Sequence, residues 1–132
     1  SWFNRREASM FFTSSLTFST SSGAYVNINT FQTLEFLSWG DVPAKVWTVM
    51  PINHTALNGQ VNTGVGYDAF NVSNLNSNHV WQAFANDANG TAAYVGQVQP
   101  TEGYHFFTAS GATSGAQANW VAGGTFYATV VV

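Results

Sequence analysis

Charged side chains are scarce in this sequence. Only 7% of its 132 residues are charged, three Lys or Arg and six Asp or Glu, whereas a typical domain carries about 25%. Acid–base catalysis needs clusters of ionisable groups with perturbed pKa values, and few such groups are present here. A surface of Ser, Thr, Asn, Gln and Gly, or one covered by other chains, is typical of a subunit in a durable assembly. We therefore expect a protein that is not an enzyme.

Cysteine and long apolar runs are absent as well. Without cysteine there are no disulfides and no thiolate chemistry, and the redox compartment stays undetermined. No run approaches the roughly 20 apolar residues that span a bilayer as a helix, so no membrane partner is expected. The formal net charge of −3 argues against nucleic-acid binding, because phosphate affinity depends on Lys and Arg contacts. The chain begins at Ser1 without a signal-peptide pattern, and we expect it to be processed, trimmed or a fragment.

Aromatic residues are abundant, at 16% of the chain, and they recur in segments that alternate apolar and polar positions. The length favours one domain, and the period of two, with no helical stretch, predicts an all-β sandwich or jelly roll. The predicted strands are Met10–Ser19, Ala24–Asn29, Leu34–Trp39, Lys45–Met50, Gln60–Ala69, His79–Ala85, Thr91–Val98, Tyr104–Ala109, Gln117–Val121 and Thr125–Val132.

Turn residues separate these strands. Ser-Ser-Gly at 21–23, Gly-Asp at 40–41 and Asn-Gly at 58–59 and 89–90 predict tight turns, and residues 110–115 predict a longer flexible loop. The segment Thr125–Val132 is the most apolar, and exposed at a sheet edge it would promote aggregation. We expect it inside a sheet, with one face in the core and the other near a partner.

Two of the three basic residues lie at the start of the chain, beside two aromatic residues. Arg and Trp are enriched at interface hot spots, so residues 1–8 are interpreted as an arm preceding a single domain at 9–132. The arm would contact another chain through Trp2, Phe3, Arg5 and Arg6. The alternative is a solvated terminal tail.

No sequence motif indicates a metal or catalytic site. His54, His79 and His105 lack the close spacing of metal ligands, and ordinary strand or loop histidines are the simpler interpretation. Ser, His and Asp are all present, but no nucleophile elbow occurs. The carboxylates that would serve glycoside hydrolysis are Glu35, Asp41, Asp68, Asp87 and Glu102. We expect no metal, no cofactor and no catalytic residues.

Two weaker patterns have plain alternatives. Gly64-Val65-Gly66 lacks the following helix of a nucleotide loop, and glycine inside a strand more often marks a bulge or a close approach of backbone. Sequons begin at Asn53, Asn71 and Asn89, a number expected by chance.

Three aromatic residues have polar flanks that would suit stacking on sugars. These are Trp81, Tyr104 and Trp120. Aromatic rings also dominate cores and interfaces, which is the favoured interpretation for each ring.

Four segments together resemble a known family: residues 2–6 (WFNRR), 34–39 (LEFLSW), 64–68 (GVGYD) and 102–106 (EGYHF). With a Gly-Gly pair at 123–124 before the last strand, they are similar to C1q/TNF-like jelly-roll domains of bacteriophage structural proteins. The resemblance implies a two-sheet jelly roll of about ten antiparallel strands that assembles as a homotrimer. Such trimers serve in the virion as capsid decorations, fibres or tail appendages. The absence of acidic clusters argues against the calcium sites of some C1q-like domains.

The resemblance leaves two function classes open. The first is a structural virion protein whose arm contacts other virion proteins. Its threefold core would draw on His79–Ala85, Thr91–Val98 and Thr125–Val132, because homo-oligomer interfaces are apolar and depleted in charge. The second is a carbohydrate- or receptor-binding module on the same scaffold, which would recognise a host surface glycan during host attachment.

Overall fold

The computed structural model describes residues 6–75 and 78–131. Within these ranges the chain forms eleven β-strands and no helix, so the all-β prediction is confirmed. The strands are β1 (Glu7–Thr13), β2 (Phe18–Thr20), β3 (Val26–Asn27), β4 (Leu34–Ser38), β5 (Ala44–His54), β6 (Gln60–Tyr67), β7 (His79–Gln82), β8 (Ala88–Val98), β9 (Gly103–Ser114), β10 (Ala118–Trp120) and β11 (Thr125–Val131). No membrane-spanning helix candidate occurs in the same residues.

The strands form two antiparallel sheets, each built around one long strand. In sheet I, β5 pairs with β8 along one side and with β11 and then β10 along the other. Beyond them, β1 pairs with β11 and β2 with β10. In sheet II, β9 pairs with β4 and β3 on one side and with β6 on the other, and β6 pairs with β7. Two facing sheets with this strand order make the predicted jelly roll.

Alternation along the strands fills the space between the sheets. In β5 every second side chain from Ala44 to His54 is buried, as expected when one face of a strand meets a core. Aromatic rings from both sheets meet there. Phe36 stacks on Phe107 with centroids 5.2 Å apart, and Phe31 contacts Phe126 at 5.7 Å. The apolar positions of the alternating strands therefore line one continuous core.

Two buried polar side chains connect the sheets. The Nε1–H of Trp120 in sheet I donates to Thr63 Oγ1 in sheet II at 2.8 Å. His54 Nε2 in sheet I lies 2.9 Å from the carbonyl oxygen of Ser114 in sheet II, and its Nδ1 accepts the backbone N–H of Ala56 at 3.0 Å. Each group is thus satisfied inside the sandwich, as buried polar groups must be.

The apolar C-terminal strand lies inside a sheet, as predicted. β11 is hydrogen-bonded to β1 on one side and to β5 on the other. Its alternate residues point into the core, as Phe126, Ala128 and Val130 do. Because both edges of β11 are hydrogen-bonded to neighbouring strands, neither edge is open to pair with another chain and promote aggregation.

Three features of the predicted strand plan are wrong. The segment Met10–Ser19 is two strands rather than one, because β1 ends at Thr13 and β2 begins at Phe18. Asn89-Gly90 is not a turn but lies inside β8; the residue with positive φ there is Asp87, at +56°. Residues 110–115 are not a loop, since β9 continues to Ser114 and pairs with β3 and β6.

The segment that follows β6 explains why small residues occupy these central strands. It crosses the outer face of sheet II, where Thr108 Oγ1 donates to the Ala69 carbonyl and Ser110 Oγ to the Val72 carbonyl, both at 2.7 Å. A Cβ at Gly64 would lie 2.0 Å from Ser73 Oγ, and one at Gly66 would lie 2.5 Å from the Ala69 carbonyl oxygen. Of the two expected reasons for a glycine inside a strand, a bulge or a close approach of backbone, the second applies at Gly66, whereas Gly64 faces the side chain of Ser73.

Candidate functional site

The outer face of sheet I carries a row of large side chains across the whole sheet. The register aligns Phe11 of β1 with Tyr127 of β11, Tyr127 with Trp47 of β5, and Trp47 with Val95 of β8. The rings of Trp47 and Tyr127 lie 4.9 Å apart. At the two ends of the row, Phe11 is 65% exposed and Val95 62% exposed. The row is therefore a continuous apolar strip in contact with solvent.

Neighbouring positions widen this strip into a patch. Val49 pairs with Ala93, and Pro51 pairs with Thr91, and all four side chains are exposed. We call the patch the apolar belt, and its residues are Phe11, Trp47, Val49, Pro51, Ala93, Val95 and Tyr127. Contiguous exposed apolar patches of this kind mark interaction sites more often than scattered apolar residues do.

One side of the apolar belt is bounded by a ladder of polar side chains. Ser19 Oγ donates to Asn119 Oδ1 at 2.6 Å, Asn119 Nδ2 to Asn53 Oδ1 at 2.9 Å, and Asn53 Nδ2 to Asn89 Oδ1 at 3.1 Å. The four residues lie on four adjacent strands. An apolar centre with a polar rim is the usual anatomy of a protein interface.

The opposite side of the belt is polar too. There Ser9, Thr129, Lys45 and Gln97 are aligned across the sheet. Lys45 is the one charged residue in this row. The belt is thus enclosed between two polar rows.

The sequon asparagines are engaged in the structure. Asn53 and Asn89 belong to the polar ladder, and Asn71 Oδ1 accepts the backbone N–H of Asn27 at 2.7 Å. Each of the three side chains therefore makes hydrogen bonds within the fold.

A second polar group forms around His105 at one end of sheet II. Its Nδ1 lies 2.6 Å from Asp68 Oδ2 and 2.9 Å from the Tyr67 hydroxyl. Its Nε2 lies 2.7 Å from the Thr101 carbonyl oxygen. Asp68 is held in place by the backbone N–H of Phe106, which donates to Oδ1 at 3.0 Å. Nδ1 thus faces a carboxylate and Nε2 faces a carbonyl oxygen. Because both partners only accept hydrogen bonds, each ring nitrogen must carry a hydrogen, and the arrangement favours the imidazolium.

The pKa values in this cluster follow from these contacts. Burial lowers the pKa of His105, but the hydrogen bonds to Asp68 and to the Thr101 carbonyl, with the charge of Asp68, together raise it above its ordinary value. Burial, and then the charge of Asp68, raises the pKa of Tyr67.

The cluster contains the residue types of a catalytic triad without its geometry. The Thr101 hydroxyl lies 3.3 Å from His105 Nε2, but that nitrogen donates to the Thr101 carbonyl and is not free to accept a proton. A triad needs a base whose Nε2 accepts from the nucleophile. The cluster is therefore built to hold a charged histidine.

We expect the free energy of unfolding to fall as the pH rises through the folded-state pKa of His105. Because this pKa is raised, the folded state keeps the proton to a higher pH than the unfolded chain, whose histidine pKa is about 6.5. The stabilisation is complete below that value and is lost above it. Urea denaturation between about pH 5 and about pH 9 measures the slope. His105→Gln is the control, and an equal slope in both proteins would contradict the assignment.

The remaining histidines do not join His105. His54 is buried between the sheets, and His79 lies at the start of β7. No group of three metal-ligating side chains occurs in residues 6–75 and 78–131. Asp87 occupies a turn with positive φ, a position that short polar side chains tolerate.

A cavity of about 380 Å³ opens near the His105 cluster, between the end of β4 and the start of β9. It is lined by Leu37, Ser38, Trp39, Glu102 and Gly103. Tyr104 lies opposite Leu37 in the strand register, and its hydroxyl donates to Glu35 Oε1 at 2.6 Å. This hydrogen bond is the main cause that raises the pKa of Tyr104.

The three aromatic residues with polar flanks have different surroundings. Trp120 is buried in the core and Trp81 is half-buried, whereas Tyr104 is exposed beside the cavity. Sequence reasoning did not single out Leu37 or Trp39 for this site. Their exposed apolar side chains are visible only once β4 is placed.

The predicted arm lies mostly outside the described residues. Trp2, Phe3 and Arg5 are among the residues not described, and Arg6 is exposed. Glu7 and Ala8, the last two residues assigned to the arm, pair with Val131 and Val130.

Comparisons with known proteins identify the fold but not a family. No family model and no curated protein matches the chain. Among solved structures, a VP2 subviral particle of infectious bursal disease virus aligns with a TM-score of 0.59 and 11% identity, covering 96% of this chain and 33% of the VP2 chain. The Gt strain of the same virus aligns with a TM-score of 0.56 and 12% identity, covering 96% and 32%.

The C-terminal domain of EclA, a sugar-binding protein, aligns at 9% identity over 96% of this chain and 79% of that domain. Its TM-score of 0.35 is too low to support an argument. The chain spans about a third of the length of the viral chains it matches. At these identities the likeness shows the jelly-roll fold.

Proposed function

We propose that this chain is a non-enzymatic structural protein of a bacteriophage particle, assembled as a homotrimer through the apolar belt of sheet I. The belt is the observation that carries the proposal. It combines exposed aromatic and aliphatic side chains with polar rows on two sides, and Lys45 is the one charged side chain in those rows. The jelly-roll fold shared with viral particle proteins supports a place in a virion, as a capsid decoration, fibre or tail part.

The size of the face suits an assembly contact. The four strands lie about 4.8 Å apart, with eleven residues each in β5 and β8 and seven each in β1 and β11, and at about 3.4 Å per residue they give a face of roughly 600 Å². A stable interface covers about 800 Å² on each partner. In a trimer, three such faces would meet around one axis, which buries the belt in every subunit.

Two of the three segments expected at the threefold core contribute to the belt. Thr91–Val98 supplies Ala93 and Val95, and Thr125–Val132 supplies Tyr127. The third segment, His79–Ala85, contains β7 at the edge of sheet II. The proposal therefore assigns the trimer contact to β8 and β11 in preference to β7.

Val95→Arg is expected to convert the trimer to monomers. An unpaired charge placed in an apolar contact weakens association by a few kcal/mol, roughly 100-fold or more in the dissociation constant. Light scattering coupled to gel filtration measures the mass, which for the unmodified trimer is three times the 14.2 kDa subunit.

Two matched substitutions locate the contact. Leu57→Arg, on an exposed loop residue outside the belt, is expected to leave the trimer intact. Dissociation by Val80→Arg and not by Val95→Arg would move the interface to β7. An unmodified protein that is monomeric at micromolar concentration would refute the trimer.

We further propose that the N-terminal segment attaches the trimer to other virion proteins through Trp2, Phe3, Arg5 and Arg6. Arginine and aromatic side chains favour this role because they dominate interface hot spots. Since Glu7 and Ala8 belong to β1, we assign the arm to the residues that precede them.

A second candidate function is favoured by the cavity between β4 and β9. Its lining combines the exposed apolar side chains of Leu37 and Trp39 with the carboxylate of Glu102, which suits a carbohydrate- or receptor-binding module on the same scaffold. This function would use sheet II and leave the apolar belt free for assembly.

A further inference from the structure

The two loops that border the cavity between β4 and β9 are closely packed. Gly40 has a φ of +84°, and a Cβ at this position would lie 2.8 Å from the backbone nitrogen of Glu102. The backbone N–H of Gly40 also donates to Ser38 Oγ at 2.9 Å. The loop that carries Trp39 is therefore packed directly against the loop that carries Glu102. A preformed site avoids much of the ordering cost of binding.

Apolar side chains form one part of this site. Trp39 is 56% exposed, and Leu37 and Tyr104 are also exposed. Leu37 and Tyr104 are cross-strand partners, so their side chains lie on the same outer face of sheet II. Together they offer a ring face and an aliphatic surface to a ligand.

A carboxylate forms the other part. Glu102 lines the cavity, whereas Glu35 does not line it and accepts a hydrogen bond from the hydroxyl of Tyr104. An ionised carboxylate is an acceptor only, with two oxygens that take hydrogen bonds from hydroxyl groups. Neither of the described basic residues, Arg6 and Lys45, lines the cavity.

We propose that this cavity binds a pyranose unit of a neutral glycan, with an apolar face of the sugar ring on Trp39 and its hydroxyls donating to Glu102. A pyranose presents C–H groups on its ring face and hydroxyls at its edge, which matches an aromatic surface beside a carboxylate. The cavity volume falls in the range of about 300–1,000 Å³ found for small-molecule sites. A sialic acid or uronic acid would bring a second negative charge towards Glu102, and the repulsion disfavours its binding.

The inference rests on the second candidate function. The following experiment distinguishes failure of the inference from failure of that function. The unmodified protein is applied to an array that carries neutral, sialylated and uronic-acid glycans. The best neutral glycan is then titrated by calorimetry into the unmodified protein and into Trp39→Ala and Glu102→Gln. Phe84→Ala is the matched control, because Phe84 is 74% exposed and does not line the cavity.

We expect binding restricted to neutral glycans. Each cavity variant is expected to weaken it about tenfold or more, since each removes a stacking surface or a charged acceptor, while Phe84→Ala keeps the original affinity. Selective binding that Trp39→Ala and Glu102→Gln leave unchanged would overturn the assignment of the site but keep the binding function. Preference for sialylated glycans would also overturn the inference. Binding of no glycan would overturn the inference and the second candidate function, and would leave the assembly proposal to its own test.

Discussion

Trp120→Ala is expected to lower the free energy of unfolding by about 3–5 kcal/mol, the cost of removing a large buried aromatic side chain. The ring is fully buried between the sheets and is the largest side chain in the core. It also contacts Phe18, with ring centroids 5.8 Å apart, and it donates to Thr63. The substitution therefore leaves a cavity and an unpaired hydroxyl at the same place. Chemical denaturation followed by circular dichroism measures the loss.

A Trp39→Ala variant provides the matched control for this experiment. The same change is made at an exposed tryptophan, where substitutions are usually within about 0.5 kcal/mol of neutral. Thr63→Val tests the hydrogen bond between Trp120 and Thr63. It leaves the indole N–H buried without an acceptor, at a cost of about 1–3 kcal/mol. Equal effects of the two tryptophan substitutions would show that Trp120 does not hold the sheets together.

Gly59→Ala is expected to lower the free energy of unfolding by roughly 2–5 kcal/mol, through overpacking and lost hydrogen bonds. An added Cβ would lie 1.9 Å from His54 Cε1, so the imidazole must move. Its movement breaks the local bond from the Ala56 N–H and the contact with the Ser114 carbonyl, which connects sheet I to sheet II. Thermal or urea denaturation monitored by circular dichroism measures the effect.

A double-mutant cycle identifies the cause. If the clash with the imidazole dominates, His54→Ala combined with Gly59→Ala costs less than the sum of the two single substitutions. Gly23→Ala is the control, since its added Cβ would meet only the Thr113 carbonyl oxygen at 3.8 Å. Additive effects at 54 and 59 would mean that the glycine is required for another reason.

Period-two alternation predicted nearly every strand because each strand has one face in a common core. The pattern failed at residues 110–115, where Ser, Gly, Ala and Thr are as typical of loops as of crowded strands. Their burial arises from two sources outside the segment, the pairing partners β3 and β6 and the crossing chain after β6. A tertiary contact of this kind leaves no local pattern.

The candidate sites were harder to predict than the fold. The predicted threefold core named Thr91–Val98 and Thr125–Val132, which contribute to the apolar belt, and His79–Ala85, which does not. Phe11 and Trp47 were not included. Their alignment depends on the register of strands far apart in the chain, which one sequence does not specify. The His105 cluster was missed for the same reason, since Asp68 approaches the ring only when β6 and β9 pair, although Thr101 lies just four residues before His105.

The pairing of β1 with β11 has a consequence for synthesis on the ribosome. β1 ends at Thr13 and β11 begins at Thr125, so the first strand emerges long before its partner is made. At about 5–20 residues per second, the delay is on the order of ten seconds. During that interval sheet I has an incomplete edge and the inner side chains of β1 are uncovered. Completion of sheet I thus waits for β11, and release of the chain before residue 125 would leave a product prone to aggregation.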